Sequence, residues 1–207
     1  METKVKTEDK KILERMAEKL LETQKELDEL TIQLTLGKAK AMDKFEDVKL
    51  EFKEKVDVLK QFLEKESVKD FFSNFKEKID QLEKQLSLGK AESKELFEEQ
   101  KERILKSLTE LEEVLKNKIN QFKEPHYFSH EVEKFKLKME ILKLKFELKN
   151  FEIKDGFISG MADVKKIINN MVVQGKKKFK GGKGKYDEFK DEIALAYKHL
   201  KKAIHEL

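Results

Sequence analysis

His126 and His130 stand four residues apart, with Glu131 and Glu133 beside them. On one face of a helix that spacing offers two imidazoles to a zinc ion. Pro125 and Ser129 instead predict a turn and a helix start at this point, which separates the two rings. Capping or solvated histidines are the expected reading, and no metal ligand is assigned. A di-iron centre in a helical bundle needs Glu three residues before His. The positions three before His126, His130, His199 and His205 hold Lys123, Tyr127, Ala196 and Lys202. None is acidic, so that chemistry is excluded. Thiolate chemistry is excluded too, because the chain has no cysteine. Gly181-Gly182-Lys183-Gly184 lacks the preceding strand and the spacing of a phosphate loop. The sequence therefore assigns no catalytic residue, cofactor or small-molecule substrate, and it reads as a non-enzyme.

One cluster remains. Lys176, Lys177, Lys178, Lys180, Lys183 and Lys185 fall within ten residues around Phe179, with no acid between them. Such a cluster neutralises phosphates on nucleic acid or on an anionic membrane. Phe179 is of the type that stacks on a base or enters an interface. The same lysines and glycines also make a soluble connector. Of 46 basic residues only Arg15 and Arg103 are arginine, the preferred residue for bidentate base and phosphate contacts. Any polyanion binding is expected to ignore sequence.

The elements that carry these residues follow from composition and period. Charged residues make up 43 % of the 207, against about 25 % in an ordinary globular domain. Packed helices in a thin rod accommodate that charge, because every residue lies near the surface. Regular Leu, Phe, Ile and Val argue against disorder. A single proline permits long helices. Met1 to Leu21 is too charged for a signal peptide, and no run of about 18 apolar residues predicts a membrane span. A cytoplasmic location is the expectation.

The seam Met16, Leu20, Thr23, Leu27, Leu30, Leu34 alternates steps of four and three, and the period resumes through Ala41, Phe45, Val48, Phe52, Val56, Leu59 and Leu63. The pattern predicts helices over about 8–65, 68–123, 129–174 and 186–205, with a basic loop at 175–185. Ser67 and Asp70 resemble a capping box between the first two, and Pro125 is expected to end the second. The predicted fold is all-α: one elongated antiparallel helical bundle over 1–207, with three long helices plus a short C-terminal helix, coiled-coil-like.

An internal repeat accompanies the seam. Leu34-Thr-Leu-Gly-Lys-Ala39 returns 52 residues later as Leu86-Ser-Leu-Gly-Lys-Ala91, and Phe45-Glu46 as Phe97-Glu98. A weaker third copy has Phe151-Glu152. Gly37 and Gly89 are read as points of close backbone approach. These segments, Leu36-Gly-Lys-Ala-Lys-Ala-Met-Asp-Lys-Phe-Glu46 and Leu88-Gly-Lys-Ala-Glu-Ser-Lys-Glu-Leu-Phe-Glu-Glu-Gln-Lys101, resemble the Lys/Glu-rich repeats of bacterial coiled-coil stress-response proteins and similar helical proteins. The likeness covers about half the chain. The inserted glycine, the third copy and the basic loop depart from that family. The resemblance implies a structural or stress-linked role and carries over no functional residue.

From Phe135 to Ile153 the apolar residues alternate, which is also a strand signal. Read as a helix, the segment carries two stripes on opposite faces: Phe135, Met139, Leu142, Phe146 and Ile153, then Leu137, Ile141, Leu144, Leu148 and Phe151. A second apolar stripe left uncovered marks a partner surface. The expected function is a non-enzymatic structural or interaction protein that self-associates through Leu137, Ile141, Leu144, Leu148 and Phe151. The alternative is sequence-independent binding of nucleic acid or anionic lipid through 176–185.

Overall fold

The structure, a computed structural model, describes the backbone of residues 2–35, 38–65, 69–116, 125–147, 153–178 and 184–205. Side chains are described at 15, 17–35, 41–64, 75–115, 128–147, 153–170 and 194–205. Among the described residues there are seven helices and no strand: α1 Glu2–Thr35, α2 Lys38–Lys65, α3 Lys69–Leu86, α4 Lys94–Lys116, α5 Pro125–Glu147, α6 Asp155–Lys178 and α7 Gly184–His205. The all-α expectation holds. The three long rods are not seen as such: the second is divided into α3 and α4 by 87–93 and the third into α5 and α6 by 153–154, while the first spans α1 and α2, with 36–37 between them outside the described residues. Local period alone does not resolve these divisions, since the seam keeps its phase across them.

The chain forms two compact units, residues 1–35 with 150–207, and residues 36–149. In the first, α1, α6 and α7 pack together. Its core is Ala17, Leu20, Leu27, Leu30 and Leu34 from α1, Phe157, Met161, Val164 and Ile168 from α6, and Ala196, Leu200, Ala203 and Ile204 from α7. Thr23 and Thr31 share the buried face of α1 and turn their hydroxyls back to the carbonyls of Lys19 and Leu27, at 2.9 and 2.8 Å. Each hydroxyl is thereby bonded within its own helix. Near the start of α6, Gly160 lies against Ala203 near the end of α7. A Cβ placed on Gly160 stands 2.7 Å from the Ala203 Cβ. This is the close helix approach that the sequence reading assigned to Gly37 and Gly89. Gly37 lies outside the described residues, and a Cβ on Gly89 meets nothing within 4 Å.

In the second unit α2 packs on α3 and α5, and α4 packs on α3 and α5. The α2 seam Ala41, Phe45, Val48, Phe52, Val56, Leu59 and Leu63 is buried as its period requires. Phe52 stacks on Phe135 with ring centroids 4.2 Å apart, and Phe97 lies 4.4 Å from Phe146. The segment 125–147 is helical, so its alternating pattern marks a helix buried on both faces rather than a strand. Pro125 opens α5. Proline suits a first helical position, where its missing N–H has no carbonyl to reach. Ser129 consequently sits inside the helix and not at its cap. The Ser67–Asp70 capping box falls largely on 66–68, outside the described residues.

Candidate functional site

The break between α3 and α4 is fully described, and the two repeat copies meet beside it. The first copy reads Phe45-Glu46-Asp47-Val48-Lys49 and the second Phe97-Glu98-Glu99-Gln100-Lys101. In each copy the phenylalanine and lysine are one helical turn apart. Lys49 Nζ lies 4.8 Å from the centroid of the Phe45 ring, and Lys101 Nζ 5.7 Å from that of Phe97. Each lysine pairs with the glutamate of its own copy, Glu46 at 2.9 Å and Glu98 at 2.7 Å. The two fully buried rings then meet edge to face, with centroids 4.8 Å apart and planes at 75°. A residue touching its own counterpart is the mark of an isologous contact, here made within one chain.

Lys49 is 1 % exposed, the most buried charged side chain among the described residues together with Glu131. Besides Glu46 it donates to the Leu88 carbonyl at 3.0 Å and to Gln100 Oε1 at 2.9 Å. An ammonium has three donors, and here three acceptors use them. Gln100 Nε2 donates in turn to the Gly89 carbonyl at 2.8 Å. The carbonyls left over after the end of α3 are thus satisfied by side chains from α2 and α4. The Ala91 amide donates to Glu46 Oε1 at 3.3 Å, and Lys90 pairs with Asp43 at 2.6 Å. Hydrogen bonding to Asp43 raises the Lys90 pKa, though this pair is exposed. Asp43, Glu46 and Lys49 recur every third residue and form one strip of α2 along the segment 88–91. Ser93 starts α4, its hydroxyl accepting from the Leu96 amide at 3.2 Å. The Glu95 carboxyl is held below its ordinary range by its own backbone amide and by Ser93.

Charge also ties the helices of this unit pairwise. Lys60 on α2 reaches Glu83 and Asp80 on α3 at 2.8 and 2.9 Å, and hydrogen bonds to both raise its pKa strongly. Lys78 on α3 pairs with Glu110 on α4 at 2.7 Å, which raises the lysine and lowers the glutamate. Lys136 on α5 pairs with Glu112 on α4 at 2.9 Å. Burial works against the Lys136 charge, yet the hydrogen bond it donates to Glu112 and the charges of Glu133 and Glu112 outweigh it. Lys138 and Lys134 on α5 flank Glu51 on α2 at 2.7 and 3.4 Å. Glu131, 1 % exposed, pairs through one oxygen with Lys134 at 3.0 Å, and its Oε1 is buried with no hydrogen bond among the described residues.

The residues singled out from sequence fall elsewhere. Of the strip expected to be open, Leu137 and Ile141 are 4 % and 0 % exposed and Leu144 is half-buried, so its described part is largely covered. A helix apolar on both faces is stable only when both are packed. Leu148 and Phe151 lie outside the described residues. The span expected to be a basic loop is helical at both ends: Lys176, Lys177 and Lys178 belong to the last turn of α6, and Lys185 to the first turn of α7. Phe179, Lys180 and Lys183 lie outside the described residues. His126 and His130 both sit on α5, one turn apart, so no turn separates them as expected. Among the described residues no group of three or more His, Asp or Glu is placed to hold a metal, and no helix is long and apolar enough to cross a membrane.

Lys49 is not among the residues singled out from sequence. Its signal was present: Phe-Glu-x-x-Lys occurs in both copies, and a lysine one turn from a seam phenylalanine lies close to the seam. Comparison with protein-family models, with curated proteins and with solved structures finds no match for this chain.

Proposed function

We propose that the protein is a non-enzymatic structural or interaction protein, built of antiparallel, coiled-coil-like helices and acting by associating with copies of itself. One observation carries this reading: the two Phe-Glu-x-x-Lys copies bind each other, Phe45 against Phe97. A sequence whose repeat recognises its own counterpart within a chain has a surface suited to the same counterpart in another chain. The use of charge supports it. Lys49, Lys60, Lys78, Lys134, Lys136 and Lys138 each join one helix to another. The antiparallel sense is supported by α4 and α5, where Glu112 pairs with Lys136 and Phe97 with Phe146, so that one helix ascends as the other descends. Light scattering from micromolar to millimolar concentration tests the reading. A mass that rises with concentration is expected; a constant monomer mass contradicts it.

Polyanion binding is the second reading. It is favoured by the placing of Lys176, Lys177 and Lys178 at the end of α6 and Lys185 at the start of α7, either side of Phe179, Lys180 and Lys183. Binding to single-stranded nucleic acid or to vesicles of anionic lipid is then expected to weaken steeply with salt. Alanine at Lys176, Lys177 and Lys178 is expected to abolish it, and unchanged binding contradicts this reading.

A further inference from the structure

We propose that the protein self-associates by exchange: residues 1–86 of one copy pack against residues 94–207 of a second copy, and 87–93 is the hinge. This rests on the self-association reading above and names the surface it uses.

Apart from the Ser93 cap of α4, nothing local requires the chain to turn at the hinge. The apolar period runs in phase through Leu86, Gly89, Ser93 and Phe97, in steps of three, four and four, and no proline interrupts 69–116. Gly89 does not adopt the left-handed backbone, and a Cβ there meets nothing. The turn is held instead by side chains distant in sequence: Lys49 on the Leu88 carbonyl, Gln100 on the Gly89 carbonyl and Glu46 on the Ala91 amide. When 87–93 becomes helical, the Leu88 and Gly89 carbonyls find the amides of Glu92 and Ser93 four residues on. Lys49 then keeps Glu46 and Gln100 as partners. Residues 69–116 become one helix of about 72 Å at 1.5 Å per residue.

The contacts across the hinge allow a second copy to supply either side. Phe45–Phe97, Lys78–Glu110 and Glu51–Lys138 each join a residue before 87 to one after 93. The contacts Lys60–Glu83 and Glu112–Lys136 lie wholly on one side and stay within a chain. The other unit divides the same way, α1 before the hinge and α6 and α7 after it. Two chains exchanging at this single point rebuild both units twice. Domain exchange of this kind adds little new contact area beyond what each chain already has, so the balance is set by the hinge.

The test uses full-length chains. The protein has no cysteine, so Lys78→Cys in one chain and Glu110→Cys in another give a defined pair. The two chains are unfolded together, refolded at high concentration and treated with a short dithiol-reactive cross-linker. A product holding one chain of each kind is expected. Gly89→Ala favours the helical hinge about fivefold per hinge, hence about thirtyfold in the dimerisation constant with two hinges. Lys49→Met, which releases the Leu88 carbonyl, shifts the balance the same way. Should Lys49→Met fail to fold, Gly89→Ala carries the test. Dimers that do not cross-link at this pair overturn the exchange and leave self-association standing. Monomer throughout, in every variant, overturns both.

Discussion

Lys49 Nζ reaches across 39 residues of sequence to the carbonyl oxygen of Leu88, at 3.0 Å. That bond sets the geometry of the turn between α3 and α4, and it makes a buried charge structurally useful. Replacing Lys49 by Ala leaves the Leu88 carbonyl and Gln100 Oε1 without their donor and opens a cavity beside Phe45. A loss of about 3 kcal/mol is expected, and Lys49→Met, which fills the space, is expected to cost less. Urea unfolding of both variants measures the difference. Equal losses contradict the filling argument.

The Phe45–Phe97 pair is buried on both sides. Either ring replaced by Ala is expected to cost about 3–5 kcal/mol. The double replacement is expected to cost about 1 kcal/mol less than the sum, because the edge-to-face contact is lost only once. Strict additivity in a double-mutant cycle contradicts their coupling.

The glycines separate sharply. Gly160→Ala drives a methyl into Ala203, since the added Cβ would stand 2.7 Å from the Ala203 Cβ. Helices α6 and α7 must then move apart, at an expected cost of about 1–3 kcal/mol. Gly89→Ala meets nothing and is expected to be neutral or to stabilise, by restricting the unfolded chain. Thermal unfolding that ranks Gly89→Ala below Gly160→Ala contradicts both assignments.

Asp28 on α1 has its pKa raised by burial, opposed by the hydrogen bond from Gln24 and the charge of Lys165. A raised carboxyl binds protons more readily in the folded state, so it destabilises the fold above its folded pKa. The penalty disappears below the ordinary value of 3.8. Asp28→Asn still accepts from Gln24. It is expected to melt higher than the native chain at about pH 7 and to converge with it at about pH 3. A difference that persists unchanged in acid contradicts the burial argument.

The helical class was legible because apolar residues recur every three and four over most of the chain. The divisions between helices were not. At 87–93 the seam keeps its phase, and the turn depends on Lys49 and Gln100, whose partners lie 39 and 11 residues away in sequence. Gly89 stands out in the sequence because it repeats, yet among the described residues the close helix approach is at Gly160, which does not. Pro125 predicts a stop to the helix before it, and the same residue also opens α5, a role that its missing N–H suits. The stripe Leu137 and Ile141 was read as open. Burial on a second face cannot be distinguished from exposure by periodicity alone. Of the candidate site, Phe45, Glu46, Phe97 and Glu98 were visible as a repeat. The lysines completing both copies were hidden among the many others of a highly charged chain.

Helices α3 and α4 fold back at 87–93 so that Lys78 meets Glu110 at 2.7 Å. A double variant, Lys78→Cys with Glu110→Cys, treated at high dilution with a short dithiol-reactive linker, measures this directly. The expected result is a cross-link within one chain, with the monomer mass unchanged. A chain that remains helical but resists the linker contradicts it, since one unbroken helix would hold those positions about 48 Å apart.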